Sequence, residues 1–257
     1  MRKFNISLLS MNNNACLKYW IRRRQIKLRF QPIRIFCIHN VSDSFDTDSM
    51  WFCDWIQTDV FKRTVSELQK KYTFISLTEA QSHLRRDIVR IRKYAVLTAD
   101  DGFASLKNII PWLEERQIPI TLFVNPIVWD GKTVGHNLKS LPVSTENNGV
   151  KDVYLLPEDL KAFQSPLITF GYHGYEHIDE SVETYETFVD NFEKCRRAMA
   201  ALDNVIPFYA HTYGRATKQN DEYLRKQGIT PVYVNGGKNY NQRQGIDREL
   251  LPINEER

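Results

Sequence analysis

Apolar, β-branched runs alternate with stretches of helical periodicity along most of this chain, and no other feature restricts its fold as tightly. Residues 33–41, 94–99, 118–124, 165–173, 206–210 and 231–234 read as buried strands, with a short and weaker one at 73–75. Between them, Val60, Phe61, Val65, Leu68 and Tyr72 fall on one helical face, and Leu77-Thr-Glu-Ala-Gln81 carries a helix start signal. Further helices are expected over 104–117, where Pro111 forces a kink or a restart, and over 182–202 and 219–227. The spacing suits parallel βαβ units, and no G-x-G-x-x-G occurs, which excludes a dinucleotide fingerprint. The strand ends instead carry His39, Asp100 with Asp101, Asn125, His173 and His211. Polar residues gathered at strand C-termini are the pattern of an active site on a barrel. The expected fold is therefore α/β, an irregular (β/α) barrel of about seven parallel strands, possessing a gap if the strand at 73–75 fails.

Composition narrows the setting. Hydrophobic residues at 42% and charged residues at 26% suit a globular protein, and a net charge of +4 gives no reason to expect nucleic-acid binding. The charge is unevenly placed: nine basic residues, Arg2 to Arg34, precede the first acidic one, Asp43. This divides the chain into a basic leader, 1–30, and a barrel domain, 31–257. The leader is either a solvated extension or a surface for an anionic membrane or acidic partner, and residues 17–30 suit an amphipathic helix. The opening residues lack a secretory h-region, and no run approaches the roughly 20 apolar residues that span a bilayer. Cys16, Cys37, Cys53 and Cys195 are too scattered for a zinc knuckle or a disulfide framework and imply free thiols. A cytoplasmic location, with peripheral contact at the inner membrane surface, is the expectation. Residues 42–59 read as an acidic, aromatic loop, and 129–156 as a long connection of the kind that lines binding sites.

The chemistry concentrates in two places. Tyr94-Ala-Val-Leu-Thr-Ala-Asp-Asp-Gly-Phe103 is an apolar strand ending in two carboxylates and a glycine turn. Adjacent carboxylates at a buried strand end need compensation by a metal, by a buried Arg or Lys, or by solvent. His173-Gly-Tyr-Glu-His177 places two imidazoles four residues apart, which on a helical turn puts both on one face and within reach of one ion. Two histidines and one aspartate leave positions open for water and substrate, as a hydrolytic metal centre requires.

These residues resemble a known family. Thr98-Ala-Asp-Asp-Gly102 resembles the T-F-D-D-G motif of the polysaccharide deacetylases (carbohydrate esterase family 4, with NodB homology), and His173-Gly-Tyr-Glu-His177 resembles their H-S/T-x-x-H motif, with Gly174 replacing the hydroxyl residue. Phe208-Tyr-Ala-His-Thr-Tyr-Gly214 stands where that family shows a segment ending in Pro-Tyr-Gly. The resemblance implies metal-dependent hydrolysis of an N-acetyl group from a sugar in a polysaccharide or glycan precursor. It implies Asp100 as general base, Asp101, His173 and His177 as ligands of zinc (or cobalt, nickel or manganese), and the Tyr213 backbone N–H as oxyanion donor. No histidine follows His211, so the acid usually supplied from the C-terminal side is missing. Cys37-Ile-His-Asn-Val41 resembles the opening strand of a rearranged branch, the poly-N-acetylglucosamine deacetylases, and implies His39 as that acid. No Arg precedes Tyr213 in the family's position; Arg215 follows it, and Arg248 is another source of the charge.

Two rival readings stand beside this one: a catalytically silent carbohydrate-binding relative, and a metal amidohydrolase acting on another small amide. Trp51, Trp55 and Trp129 either stack on a sugar or pack in the core, and Tyr175 and Glu176 read as supporting residues between the ligands. An N-acetylated carbohydrate is the expected partner, with no nucleic acid; the oligomeric state is open.

Overall fold

The structure, a computed structural model, describes residues 32–43, 55–85, 92–130, 153–235, 238–239 and 245–253. The basic leader, the helix expected at 17–30, Trp51, Cys16, Cys53 and most of the 129–156 connection lie outside the described residues.

Seven parallel strands close into a ring: β1 (Ile33–Ile38), β5 (Tyr94–Ala99), β6 (Ile120–Val124), β7 (Ile168–Tyr172), β8 (Val205–Ala210), β9 (Thr230–Val234) and β11 (Ile246–Leu250). Each pairs in parallel with its neighbour, and β11 pairs with β1, which pairs with β5, so the ring has no gap. Closure satisfies the ladder groups an open edge would expose. Short strands lie outside the ring: β2 (Asn40–Val41) pairs with β3 (Trp55–Ile56), β4 (Thr73–Phe74) flanks the start of β5, and β10 (Lys238–Asn239) runs antiparallel to β1.

The number of barrel strands agrees with the sequence expectation, but their identity does not. The strand expected at 73–75 is the flanking β4, and the seventh stave is β11, which the apolar pattern did not mark. Ile246-Asp-Arg-Glu-Leu250 carries three charged residues in five, because this strand turns Ile246 and a buried arginine, Arg248, inward.

Alternation along the staves separates two cores. Ile33, Ile35, Val96, Phe123, Phe208, Val232 and Ile246 fill the interior together with Leu77, Ala80 and Leu84 of α2 (Leu77–Arg85). That helix closes the base: Gln81 donates to the hydroxyl of Thr230, the first residue of β9. The intervening residues, among them Phe36, Leu97, Leu122 and Phe170, form a second layer with α1 (Thr58–Gln69), α3 (Ile110–Glu115), α4 (Pro157–Ala162) and α5 (Tyr185–Met199). α6 (Lys218–Lys226) adds Leu224 to a cluster with Phe188, Phe192 and Tyr209. Pro111 does restart its helix: a 3-10 turn over Ala104–Asn108 precedes α3, where proline in the first turn leaves no bond unmade. Gly171 is fixed by packing, since a Cβ there meets the Phe123 ring at 2.3 Å. Among the described residues, no helix is long and apolar enough to cross a membrane.

Candidate active site

The mouth is built by what each stave does after its last inward residue. After β5 the chain passes through two left-handed residues, Asp101 (φ 65°) and Gly102 (φ 67°). Aspartate tolerates this region better than most side chains, and glycine enters it freely. A Cβ at Gly102 would also meet Val124 at 3.0 Å. The turn sends the neighbouring carboxylates to different jobs. Asp100 is buried in the barrel, and Asp101 reaches across the mouth to the β7 end.

His173 and His177 meet there through a loop and not through the helical turn expected from their spacing. Gly174 sits at φ 79°, where a Cβ would lie 2.7 Å from Asn191 Nδ2, so the glycine that replaces the family's hydroxyl residue suits this turn. Asn191 of α5 clamps the loop by accepting from the Glu176 N–H at 2.7 Å and donating to its carbonyl at 2.9 Å. Asn125, at the end of β6, donates to the carbonyls of His173 and Gly174 at 2.5 and 3.1 Å. His173 Nδ1 lies 2.7 Å from the Ala210 carbonyl, which makes it the N–H donor and turns Nε2 inward. Both His173 Nε2 and His177 Nε2 then face Asp101 Oδ1, at 3.2 and 3.5 Å.

This trio fits a divalent ion. Asp101 Oδ1 is buried with no hydrogen-bond partner, a cost that a cation removes. Ligand atoms about 2.1 Å from a tetrahedral ion lie about 3.4 Å apart, close to the distance of Asp101 from each histidine. All three ligand atoms fall within 4.8 Å of one another. Burial opposes ionisation of Asp101, but His177 and His173 outweigh it and hold the carboxyl well below its usual range. Burial also lowers His177, to about 4, favouring the neutral imidazole that binds metal.

Asp100 is compensated differently. Arg248, reaching in from β11, donates from Nη1 to Oδ1 at 2.6 Å and from Nη2 to Oδ2 at 2.7 Å, and Nη1 also donates to Thr98 Oγ1 at 3.1 Å. Its guanidinium lies over the Phe123 ring, 5.2 Å from the centroid. Burial alone would raise the Asp100 carboxyl; Arg248, helped by His173, brings it down to about 2. Arg248 therefore supplies the charge whose origin was open in the sequence, from β11, two staves along the ring from the β8 end where the family places it. Arg215 pairs with Asp179 at the surface instead.

His39 lies just past β1 with a ring nitrogen within 4.8 Å of Asp100 and of Cys37 Sγ. The Cys37 thiol is pushed well up by burial, so it stays protonated and makes a poor ligand. Tyr213 is left-handed (φ 54°, ψ 13°) in the turn after β8, its ring edge-on to His177 at 4.5 Å. Tyr175 donates its hydroxyl to Asp130, and the partly buried Trp129 packs against the core with its indole N–H on the Leu155 carbonyl at 3.2 Å. The far end of the 129–156 connection returns to the site, where Tyr154 stacks on Phe103 beside the Asp-Asp-Gly turn. Sequence reasoning missed Glu180 and Asp221, which flank His211 behind the Tyr213 turn. No spacing signal links them.

A closed parallel barrel with an Asp-His-His cluster and a second carboxylate at its mouth presents the donor set that hydrolytic metal centres use. The polysaccharide deacetylase family model matches residues 88–232, more than half of the chain, and the chain belongs to that family. No curated protein sequence matches it. Among solved structures, IcaB from Ammonifex degensii is 20% identical with a TM-score of 0.64, covering 86% of this chain and 92% of its own. A de-N-acetylase from Aggregatibacter actinomycetemcomitans is 15% identical with a TM-score of 0.68, over 87% and 96%. The deacetylase PplD of Streptococcus pyogenes, in complex with acetate, is 17% identical with a TM-score of 0.68, over 87% and 93%. These likenesses establish a shared fold. Family membership supports carbohydrate de-N-acetylation.

Proposed function

We infer that the chain is a divalent-metal-dependent N-deacetylase acting on an N-acetylated sugar in a polysaccharide or a glycan precursor. The convergence of Asp101, His173 and His177 beside an ionised Asp100 carries this reading. Those three residues would hold the ion, and one carboxylate with two imidazoles suits zinc, with cobalt, nickel or manganese as alternatives. A bound divalent ion there supplies a Lewis acid and lowers the pKa of water. Asp100, kept ionised by Arg248, accepts a proton from the water that adds to the acetamide carbonyl. The Tyr213 backbone N–H stabilises the resulting oxyanion. His39 then protonates the nitrogen as the C–N bond breaks, giving acetate and a free amine.

The test is acetate release from N-acetylglucosamine oligomers and lipid-linked N-acetylated sugars. Release is expected with zinc or cobalt, abolished by a chelator and restored by adding the metal back. Asp100→Asn is expected to lower the rate by roughly 100-fold or more while metal uptake persists. No release from any of these substrates with zinc, cobalt or nickel would sink the reading.

A further inference from the structure

Behind the Tyr213 turn, between the ends of β8 and β9 and the start of α6, lies a second group of buried charges that the proposed chemistry does not use. His211 is fully buried and lies between two carboxylates: Nδ1 is 2.7 Å from Glu180 Oε2, and Nε2 is 3.0 Å from Asp221 Oδ1. Since both ring nitrogens face carboxylate oxygens, both must donate, so the ring is an imidazolium. Its carboxylates are otherwise satisfied. Glu180 Oε1 accepts from the Tyr209 hydroxyl at 2.9 Å and from the Thr212 N–H at 3.3 Å, and Asp221 Oδ2 accepts from the Tyr233 hydroxyl at 2.5 Å. Thr212 donates its hydroxyl to the Ile178 carbonyl.

The chain positions of these partners give the cluster its meaning. Glu180 and Ile178 belong to the loop that carries His177. His211 and Thr212 lead directly into Tyr213, whose left-handed backbone is strained unless its surroundings impose it. Gly214 N–H closes the turn on the His211 carbonyl at 3.0 Å, and Gly214 is itself left-handed at φ 66°. At the surface the Arg215–Asp179 pair joins the same two segments again. The residues at 211 and 212 stand where the family places proline, which stiffens a turn covalently; here an ion cluster performs that task.

We propose that His211 is a positioning residue, and that the Glu180–His211–Asp221 cluster locks the Tyr213 turn to the His177 loop so that oxyanion donor and metal-ligand loop move as one body. The proposal rests on the oxyanion role given to Tyr213, and its test includes a measurement that does not need turnover. In His211→Gln, amide hydrogen exchange in the metal-free protein is expected to accelerate together in residues 177–181 and 211–215, while β5 and β6 keep their protection. The cobalt-loaded variant is expected to keep the visible spectrum of the cobalt-loaded parent. Its kcat for acetate release falls roughly 10- to 100-fold with KM within about threefold. Leu224→Ala, which truncates a buried side chain outside the cluster, serves as a control of comparable stability loss and is expected to leave exchange at 177–181 unchanged. Asp221→Asn, which retains the Glu180 contact, gives the same pattern more weakly and stands in if His211→Gln does not fold. Acceleration confined to 211–215, or a kcat loss no larger than that of Leu224→Ala, overturns the proposal. If the parent releases no acetate from any substrate, the deacetylase reading fails while the exchange result still decides whether the two segments are coupled.

Discussion

The Arg248–Asp100 pair inside the barrel and the Glu180–His211–Asp221 cluster behind β8 both bury charge near the same mouth, and a proton affects them in opposite ways. In the first the cation is a guanidinium that does not deprotonate, so only acid can break it. Asp100 has its carboxyl lowered to about 2, so its contribution to stability is present above the unfolded value near 3.8 and disappears as pH falls through about 2. In the second the cation is an imidazole. Burial opposes its charge, but Glu180 and Asp221 prevail and raise it to about 9. Its contribution is complete below the unfolded value near 6.5 and disappears as pH rises through about 9. The Arg248–Asp100 pair tolerates alkali, whereas the Glu180–His211–Asp221 cluster does not. A protein with both has the two contributions together only between the two limits.

Three measurements break or sharpen this contrast. The largest effect is expected at the guanidinium: Arg248→Met leaves Asp100 buried and unpaired and costs about 3–5 kcal/mol in denaturant unfolding. Arg248→Met with Asp100→Asn recovers most of that stability and no activity. A double variant as unstable as the single would show that Arg248 acts by packing over Phe123 and not by charge. Next is the alkaline limit. Between pH 6.5 and 9.5 the parent is expected to lose on the order of 3 kcal/mol, and Glu180→Gln to lose distinctly less over that interval. The groups around His211 are Glu180, Asp221 and the rings of Tyr209 and Tyr233, whose hydroxyls donate to those two carboxylates, with Arg225 3.6 Å from Asp221, so the slope belongs to the cluster as a unit. Equal slopes in parent and variant would remove the cluster from the account of alkaline sensitivity. The smallest effect is steric. Gly171→Ala drives a methyl into the Phe123 ring and is expected to cost about 1–3 kcal/mol, with the acid limit moving upward if Phe123 carries Arg248 with it.

Most of the barrel was readable because its staves are apolar on both faces: one side meets the filled interior and the other the helical layer. The stave at Ile246–Leu250 escaped notice for the converse reason, since an inward position is an arginine whose burial makes sense only with Asp100 beside it, at the end of the strand beyond β1. Asp100, Asp101, His173 and His177 were legible from their places at strand ends, and the structure brings the last three together. The local geometry was not legible, because an i,i+4 histidine pair reads the same on a helix and on a loop turned by Gly174 and clamped by Asn191. His211 was noted as a strand-end polar residue, but Glu180 and Asp221 look like ordinary solvent-facing acids in a loop and a helix start. Only the fold, by stacking those segments, makes them its partners.

Arg248 and Asp100 are 148 residues apart in the chain, on strands separated in the ring only by β1. During synthesis Asp100 leaves the ribosome long before its guanidinium partner exists. Until β11 docks against β1 and β9, Asp100 is without its cation, and burying the carboxylate in that state is costly. Ring closure and the neutralisation of Asp100 are thus a single event, completed only when the last stave arrives.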